Sequence, residues 1–317
     1  MEINMRKWNY DFQVPEKKKV RVIIHTDAKN EADDQYAIAH HLMTDKIIVK
    51  GIVGAHFENG FNSYGHGETA KASVAEVNKI LDLMDLTGDY PVLLGSGLPM
   101  VDEQTPADTE GARFIIKEAM KDDPKPLFIA CQGSLTDVAS AILLEPAICE
   151  RMTIIWIGGG NYPEGGFEFN LKQDIAAANV IFKSKVPVWQ VPIDVYKQMS
   201  VTLAELQLHV KPHGRIGKYL FEQMVEFNDR AGNFDHIWPH GEIWGLGDSP
   251  TVGLLLYENE RTDVYDMVSA PTVDYETMSY IHGQGNREIR VYKDANARLT
   301  LADFFAKMAI NFPEQDS

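Results

Sequence analysis

The sequence predicts an α/β protein with a doubly wound, mostly parallel central sheet and helices on both faces. Segments of strand length alternate with amphipathic segments of helix length from residue 20 to residue 256, which is the pattern of βαβ units. The first strand segment, residues 20–24, is a dense β-branched run and not an alternation of apolar and polar residues. Such a run is typical of a parallel strand that is buried on both faces.

The first half of the chain supplies four strands and the helices that follow them. The segment 32–42 is predicted to be a helix that packs back onto the first strand, and residues 68–83 carry apolar side chains at helical spacing. Residues 110–121 are amphipathic, and residues 138–144 follow a turn directly. The strands of this half are predicted at residues 20–24, 46–54, 91–94 and 126–131.

The second half continues the alternation and becomes less regular after residue 228. Strands are predicted at residues 152–157 and 186–191, two helices lie between residues 200 and 228, and late strands at 262–268 and 288–292 are expected at the sheet edge. The remaining helices are predicted at residues 176–182, 251–256 and 301–310. We predict an N-terminal extension over residues 1–19 and a single domain over residues 20–317.

Length and charge narrow the class of partner. The chain has 317 residues, of which 44% are hydrophobic and 24% charged, so it can bury a large core. Its formal net charge of -16 argues against nucleic-acid and anionic-membrane partners. Cys131 and Cys149 lie in apolar surroundings and are expected to be reduced thiols. Because no apolar signal region or membrane span is visible, the expected location is the cytoplasm.

Three acidic residues follow the first strand: Asp27, Asp33 and Asp34. In an open α/β sheet the ligand crevice lies outside the carboxyl ends of the strands. Asn30 as a helix N-cap, with Asp33 at the third helical position, would explain Asp33 on structural grounds alone. It would not explain the other two acids, which would repel one another unless a cation or a shared proton lay between them. Oxygen ligands favour Ca²⁺ or Mg²⁺ over zinc.

A second candidate region follows the fifth strand. Residues 161–174 form a long polar segment that contains Glu168 and Asn170. A loop of this length at the carboxyl end of a central strand is more often functional than not. The preceding Gly158–Gly160 run lacks both the dinucleotide spacing and the lysine of a phosphate-binding loop, so it is weak evidence for a phosphate site.

These motifs together resemble the calcium-dependent, inosine-uridine preferring nucleoside hydrolase family. The resemblance rests on the acidic loop after the first strand, the turn at residues 132–137, and the glycine run with Glu168 and Asn170 behind it, and it extends from about residue 20 to residue 256. It implies hydrolysis of the N-glycosidic bond of a nucleoside or related N-riboside by a metal-bound water, giving free sugar and base. It also implies a homodimer or homotetramer.

The resemblance assigns roles to individual positions. It implies that Asp27 is both the general base and a calcium ligand. The other implied calcium ligands are Asp34, the backbone carbonyl of Gln132, and Asp248. Asp33 and Asn170 are implied to bind ribose hydroxyls, with Glu168 also placed to reach the sugar. The local sequence offers a competing explanation for Asp248, because an Asp two residues before Pro250 is typical of a helix start.

The chain departs from the family pattern on the leaving-group side. His25 stands where the family has the opening Asp of its first loop, and this loop carries two additional residues, so that Asn30 and Glu31 project towards the site. Gly247 stands where the family often has a His. His56 and His240 are therefore candidates for substrate binding on that side, with Glu242 as a further possible acid. Phe57, Tyr162, Trp238 and Trp244 are candidates for stacking on a leaving group.

Other functions remain open at this point. A Mg²⁺-dependent phosphotransferase would need two acids at alternate positions after the first strand, and residues 25–27 offer one. A catalytically silent sugar or nucleoside binder would keep the ribose-binding residues and lack the acid, and a glycosidase for a non-nucleoside substrate would keep the same residues. A calcium-binding loop of EF-hand type does not fit, because the required Gly and Glu are missing.

Overall fold

The computed structural model describes residues 8–58, 63–232, 241–257 and 263–314. The strands of these residues are β1 (Val20–Thr26), β2 (Ile47–Gly54), β3 (Val92–Leu94), β4 (Leu127–Cys131), β5 (Thr153–Ile157), β6 (Val188–Val191), β7 (Ser200–Thr202), β8 (Ile243–Gly245), β9 (Tyr265–Ser269), β10 (Thr272–Val273), β11 (Tyr280–Ile281) and β12 (Glu288–Tyr292).

The α-helices of the same residues are α1 (Asp34–Met43), α2 (Thr69–Leu83), α3 (Glu110–Ala119), α4 (Thr136–Leu144), α5 (Phe169–Gln173), α6 (Ile175–Lys183), α7 (Ile193–Tyr196), α8 (Leu203–His209), α9 (Gly214–Ala231), α10 (Pro250–Tyr257) and α11 (Ala297–Asn311). Short 3₁₀ helices lie at Glu16–Lys18 and Pro146–Glu150. None of the described helices is both long enough and apolar enough to span a bilayer.

The main sheet is mostly parallel, as the sequence predicts. Its eight strands lie in the order β3-β2-β1-β4-β5-β6-β12-β9. Strand β12 pairs parallel with β6 and antiparallel with β9, so the two late strands extend one edge. The chain order reverses between β1 and β4, which are neighbours in register from Arg21 opposite Leu127 to His25 opposite Cys131. This reversal is the topological switch point at which α/β proteins bind ligands.

Two hydrophobic cores cover the two faces of the sheet, because successive side chains of a strand point in opposite directions. Val22 and Ile24 of β1 contribute to the core that contains helices α1, α2, α9 and α11. Ile23 contributes to the core with helices α3, α4 and α6. Every residue of β1 and of β4 is buried. The doubly wound arrangement predicted from the continuous apolar runs is therefore confirmed.

Two local predictions were wrong. Helix α1 begins at Asp34 and not at residue 32, and Asn30 is not its N-cap. The Asn30 side chain instead turns back and donates a hydrogen bond from Nδ2 to Asp27 Oδ2 at 3.2 Å. The segment predicted to be a continuous loop at 161–174 contains the short helix α5. Its capping residue, Glu168, supplies both carboxylate oxygens to the first turn, which compensates for the brevity of the helix.

We predict that truncating a central core side chain destabilises the fold strongly. Ile129 of β4 is fully buried, so Ile129→Ala should lower the free energy of unfolding by about 2–5 kcal/mol and Ile129→Val by about 0.5–1.5 kcal/mol. Urea denaturation followed by circular dichroism measures both. The control is Val101→Ala, at a residue 84% exposed, which should change the free energy by no more than about 0.5 kcal/mol. Equal effects of Ile129→Ala and Val101→Ala would contradict this packing.

Candidate active site

A small polar cavity of about 50 Å³ lies at the carboxyl ends of β1 and β4, at the switch point. It brings together side chains that are more than 200 residues apart in the sequence. Its lining consists of Asp27, Asn30, Glu31, Asp33, Asp34, Gln132, Ile157, Glu168, Phe169, Asn170, Tyr196, Gly247 and Asp248. Seven of the nine positions named from the sequence as site residues are therefore in one place.

Asp27 follows β1 directly and is only 2% exposed. The chain at Gly133 passes very close to it, since a Cβ atom added at position 133 would lie 2.9 Å from Asp27 Cγ. A glycine is therefore required at 133 for the two strand ends to approach each other. This contact fixes the Asp27 carboxylate beside the loop that follows β4.

Three carboxylates approach one another closely enough to bind a cation. Ligand atoms of Asp33, Asp34 and Asp248 all lie within 4.8 Å of one another. Asp33 and Asp34 stand at the start of α1, and Asp248 stands just before α10. This cluster contains two of the three carboxylates that the resemblance implies as calcium ligands, with Asp33 in place of Asp27.

Neighbouring polar groups hold these carboxylates in place. The Thr26 hydroxyl donates a hydrogen bond to Asp34 Oδ1, and the backbone amides of Gly247 and Asp248 donate to the Asp33 carboxylate. The Gln132 side chain donates from Nε2 to Thr251 Oγ1 at 3.0 Å, while its Oε1 is buried without a hydrogen-bond partner among the described residues. An unpartnered buried acceptor beside a carboxylate cluster is a natural ligand for a hard cation.

Burial raises the pKa of Asp27 and of every carboxyl group of the cluster. For Asp27, Asp34 and Asp248, burial is the main cause and repulsion from neighbouring carboxylates adds to it. The pKa values of these three groups therefore lie well above the ordinary value. Burial also raises the pKa of Asp33 to about 6, although backbone amides oppose the increase. Placing negative charge here without a cation is therefore unfavourable.

Glu168 and Asn170 form the opposite wall. Glu168 is fully buried; its Oε2 accepts hydrogen bonds from the amides of Gly159 at 2.7 Å and Leu171 at 2.9 Å. Its Oε1 accepts from the Asn170 amide at 3.1 Å and from the Tyr196 hydroxyl at 2.9 Å. Burial still raises the pKa of Glu168 despite these donors. The Asn170 side chain donates from Nδ2 to the Ile157 carbonyl at 2.9 Å.

His56, one of the two histidines named from the sequence, does not line this cavity. His56 is fully buried, and its Nε2 lies 2.7 Å from Thr136 Oγ1. Burial lowers the pKa of His56 to about 4, so its ring is a neutral partner of Thr136, and this geometry argues against a direct contact with substrate. His240 lies outside the described residues, as does Trp238. Glu242 is described and exposed.

Sequence reasoning missed two residues of this region. The sequence pattern does not single out Tyr196, because a tyrosine after an apolar strand is ordinarily a core residue. Nor does it single out Asp137, which lies in the turn at residues 132–137. The Asp137 carboxylate bonds His25 Nε2 at 3.0 Å and accepts hydrogen bonds from Thr109 and from the Ser96 amide. His25 thus pairs with a buried acid, which explains why a histidine can occupy this buried position.

A second cavity of about 320 Å³ adjoins the first and shares part of its wall. The shared residues are Glu31, Asp33, Phe169, Tyr196 and Gly247. Its remaining lining is Phe167, Ile193, Lys197, Ser200, Trp244 and Gly245. A small carboxylate-lined cavity therefore opens beside a larger one with several aromatic walls.

Known proteins resemble the chain in both sequence and fold. The Leishmania major inosine-uridine preferring nucleoside hydrolase is 30% identical over 128 residues, which is 39% of this chain and 40% of that protein. The Crithidia fasciculata protein of the same description is 33% identical over 104 residues, 32% of this chain and 33% of that protein. These matches thus span less than half of the relatives' length.

Solved structures resemble the chain over nearly its whole length. A purine-preferring ribonucleoside hydrolase from Gardnerella vaginalis has a TM-score of 0.71 at 20% identity, covering 91% of this chain and 98% of that one. A plant nucleoside hydrolase has a TM-score of 0.70 at 18% identity over the same shares. The sequence profile of the inosine-uridine preferring nucleoside hydrolases matches residues 22–299. The chain therefore belongs to the inosine-uridine preferring nucleoside hydrolase family.

Proposed function

We propose that the protein hydrolyses the N-glycosidic bond of a nucleoside or related N-riboside with the help of a bound calcium ion. The observation that carries this proposal is the cluster of Asp33, Asp34 and Asp248 at the switch point, beside Asp27. Family membership supports the reaction type, since the relatives are described as nucleoside hydrolases.

The residues present fit a calcium ion. Ca²⁺ binds six to eight oxygen atoms in flexible geometry, and the cavity lining contains carboxylate and amide oxygens but no cysteine or histidine among the described residues. Asp34 and Asp248 belong both to the observed cluster and to the ligands that the resemblance implies, so we assign them to the metal, with Asp27 and the carbonyl of Gln132. The side-chain Oε1 of Gln132, buried without a hydrogen-bond partner among the described residues, offers a further oxygen beside this set.

The steps of the proposed reaction can then be assigned to residues of the chain. Bound calcium would lower the pKa of a water molecule and so make its proton easier to remove. Asp27 accepts that proton while the water oxygen bonds to the anomeric carbon. The carbon–nitrogen bond breaks, and its electron pair leaves with the nucleobase. The carboxylates near the sugar stabilise the positive charge that develops on the ring in the transition state.

Asp33 and the two residues of the opposite wall can orient the substrate. We propose that Asp33, Glu168 and Asn170 bind the hydroxyls of the ribose. Asp33 and Glu168 offer carboxylate oxygens held by backbone amides, so their positions do not have to be organised when the substrate arrives. Because Asp33 also lies in the carboxylate cluster, the sugar would sit directly beside the cation.

One feature favours a second function. Gly247 offers no side chain to protonate a leaving group, which fits a protein that binds ribosides without cleaving them. Calorimetric binding of nucleosides without release of sugar would support this alternative. Release of free sugar by the wild-type protein would exclude it.

We predict that Asp27→Asn reduces turnover strongly and leaves the fold intact. An amide cannot accept the proton of water, so kcat should fall about 10²- to 10⁴-fold. Reducing-sugar detection with inosine, uridine and nitrophenyl riboside measures it. The matched control is Asp122→Asn, at an exposed residue, which should retain full activity. A wild-type rate in Asp27→Asn would remove Asp27 from the mechanism.

We predict that Asp34→Asn and Asp248→Asn each weaken calcium binding. Each substitution removes one anionic ligand, so the dissociation constant for calcium should rise at least about tenfold. Isothermal titration of metal-free protein with calcium chloride measures it, again with Asp122→Asn as control. Unchanged affinity in both variants would place the calcium elsewhere.

We predict that calcium stabilises the protein more at pH 7.5 than at pH 5. Without metal, the folded pKa of Asp33 is about 6, above its ordinary value of 3.8, and those of its neighbours are also raised. The folded state then binds more protons than the unfolded state, so its stability declines as pH rises through this range. Calcium requires the deprotonated carboxylates, so its effect grows with pH.

Thermal unfolding with calcium and with a chelator, at several pH values, tests this dependence. The difference between the two melting temperatures should widen from pH 5 to pH 7.5. A difference that is constant, or that narrows with rising pH, would show that these carboxylates are not the ligands.

A further inference from the structure

Gly247 and Tyr196 lie side by side, and both line both cavities. A Cβ atom added at position 247 would lie 3.2 Å from Tyr196 Cδ2 and 3.3 Å from Asp33 Oδ2. Both distances are tighter than ordinary van der Waals contact. The tyrosine ring therefore fills the volume into which a side chain at position 247 would begin to extend.

The hydroxyl end of Tyr196 is held by the Glu168 carboxylate. It donates to Glu168 Oε1 at 2.9 Å, and the other hydrogen bonds of Glu168 come from backbone amides of residues 159, 170 and 171. Tyr196 is therefore the side-chain donor that completes the orientation of this buried carboxylate. Removing the hydroxyl would leave Glu168 Oε1 with one donor fewer in a buried site.

The ring of Tyr196 belongs to both cavities. It lines the carboxylate cavity and the adjoining cavity of about 320 Å³, whose wall also includes the aromatic residues Phe167, Phe169 and Trp244. A riboside with its sugar in the first cavity would direct its leaving group past this ring. Aromatic faces favour flat aromatic partners in offset or edge-to-face contact.

We propose that Tyr196 forms the leaving-group side of the site, in the space beside Gly247. Its ring is the surface against which a flat aromatic leaving group packs, and its hydroxyl positions Glu168 for the sugar. The aromatic leaving group of a riboside would therefore be held by contact with the Tyr196 ring. This inference rests on the proposed function and deepens it, since it names the residue that contacts the leaving group.

The two parts of Tyr196 can be separated by two substitutions. Tyr196→Phe removes the hydroxyl and keeps the ring, so it should weaken competitive inhibition by free ribose about fivefold or more through Glu168. Tyr196→Ala removes the ring as well, so it should raise KM for inosine and nitrophenyl riboside about a further tenfold without a further change in the ribose inhibition constant. If Tyr196 had a purely structural role, each substitution would change KM and the ribose inhibition constant together.

The matched control is Tyr275→Phe. The Tyr275 hydroxyl donates to the Glu103 carboxylate at 3.1 Å, as the Tyr196 hydroxyl donates to the Glu168 carboxylate. Tyr275, however, is 55% exposed and lies in neither cavity of the site. This variant should keep the wild-type KM and ribose inhibition constant. Identical KM values for Tyr196→Phe and Tyr196→Ala, or an unchanged ribose inhibition constant in Tyr196→Phe, would overturn the proposal.

A double-substitution cycle tests the shared space directly. Gly247→Ala should lower kcat/KM several-fold in the wild-type background, because the new methyl group meets the Tyr196 ring, and its effect should be smaller in the Tyr196→Ala background. The control is Val101→Ala, at a residue that is 84% exposed and lies in neither cavity of the site. Equal fold losses from Gly247→Ala in both backgrounds would refute the contact.

The failure of this inference can be distinguished from the failure of the proposed function. Sugar release by the wild type with no effect of the Tyr196 variants would refute the inference alone. Absence of sugar release by the wild type would refute the proposed hydrolysis. Calorimetry with inosine and ribose then decides the inference, because loss of inosine binding in Tyr196→Ala supports it and unchanged binding contradicts it.

Discussion

Concentrated negative charge at the switch point is the constraint on which the rest of the site depends. Asp27, Asp34 and Asp248 are no more than 4% exposed, and Asp33 is 8% exposed. No lysine or arginine of the described residues lines their cavity. Burying several carboxylates without compensation is costly, and burial accordingly raises the pKa of each. A calcium ion would compensate this charge, and it would also serve the proposed hydrolysis.

The fold makes this concentration possible by bringing three distant segments together. The ends of β1 and β4 meet because the chain order reverses between them, and Gly133 permits their close approach. The start of α1 adds two acids, and the segment before α10 adds Asp248 from far along the chain. The two apolar cores on either side of the sheet provide the rigid support that a preorganised site needs.

The sequence predicts the architecture well because the strands are buried on both faces and therefore continuously apolar. It predicts the position of Asp27 for the same reason, since a carboxylate at the end of such a strand has no structural explanation. It does not predict the start of α1, because the Asn30 side chain bonds Asp27 and does not cap the helix. Nor does it predict the surroundings of Tyr196, which donates a hydrogen bond to Glu168 and lies beside Gly247, because these residues are far apart in the chain.

The most direct test of the account is sugar release by the wild-type protein from inosine, uridine and nitrophenyl riboside, in chelator and after calcium is restored. Free ribose is expected only when calcium is present, with activity recovered when calcium is restored. Ribose release that continues at the same rate in chelator would contradict the calcium-dependent mechanism, and no release under either condition would contradict the proposed hydrolysis itself.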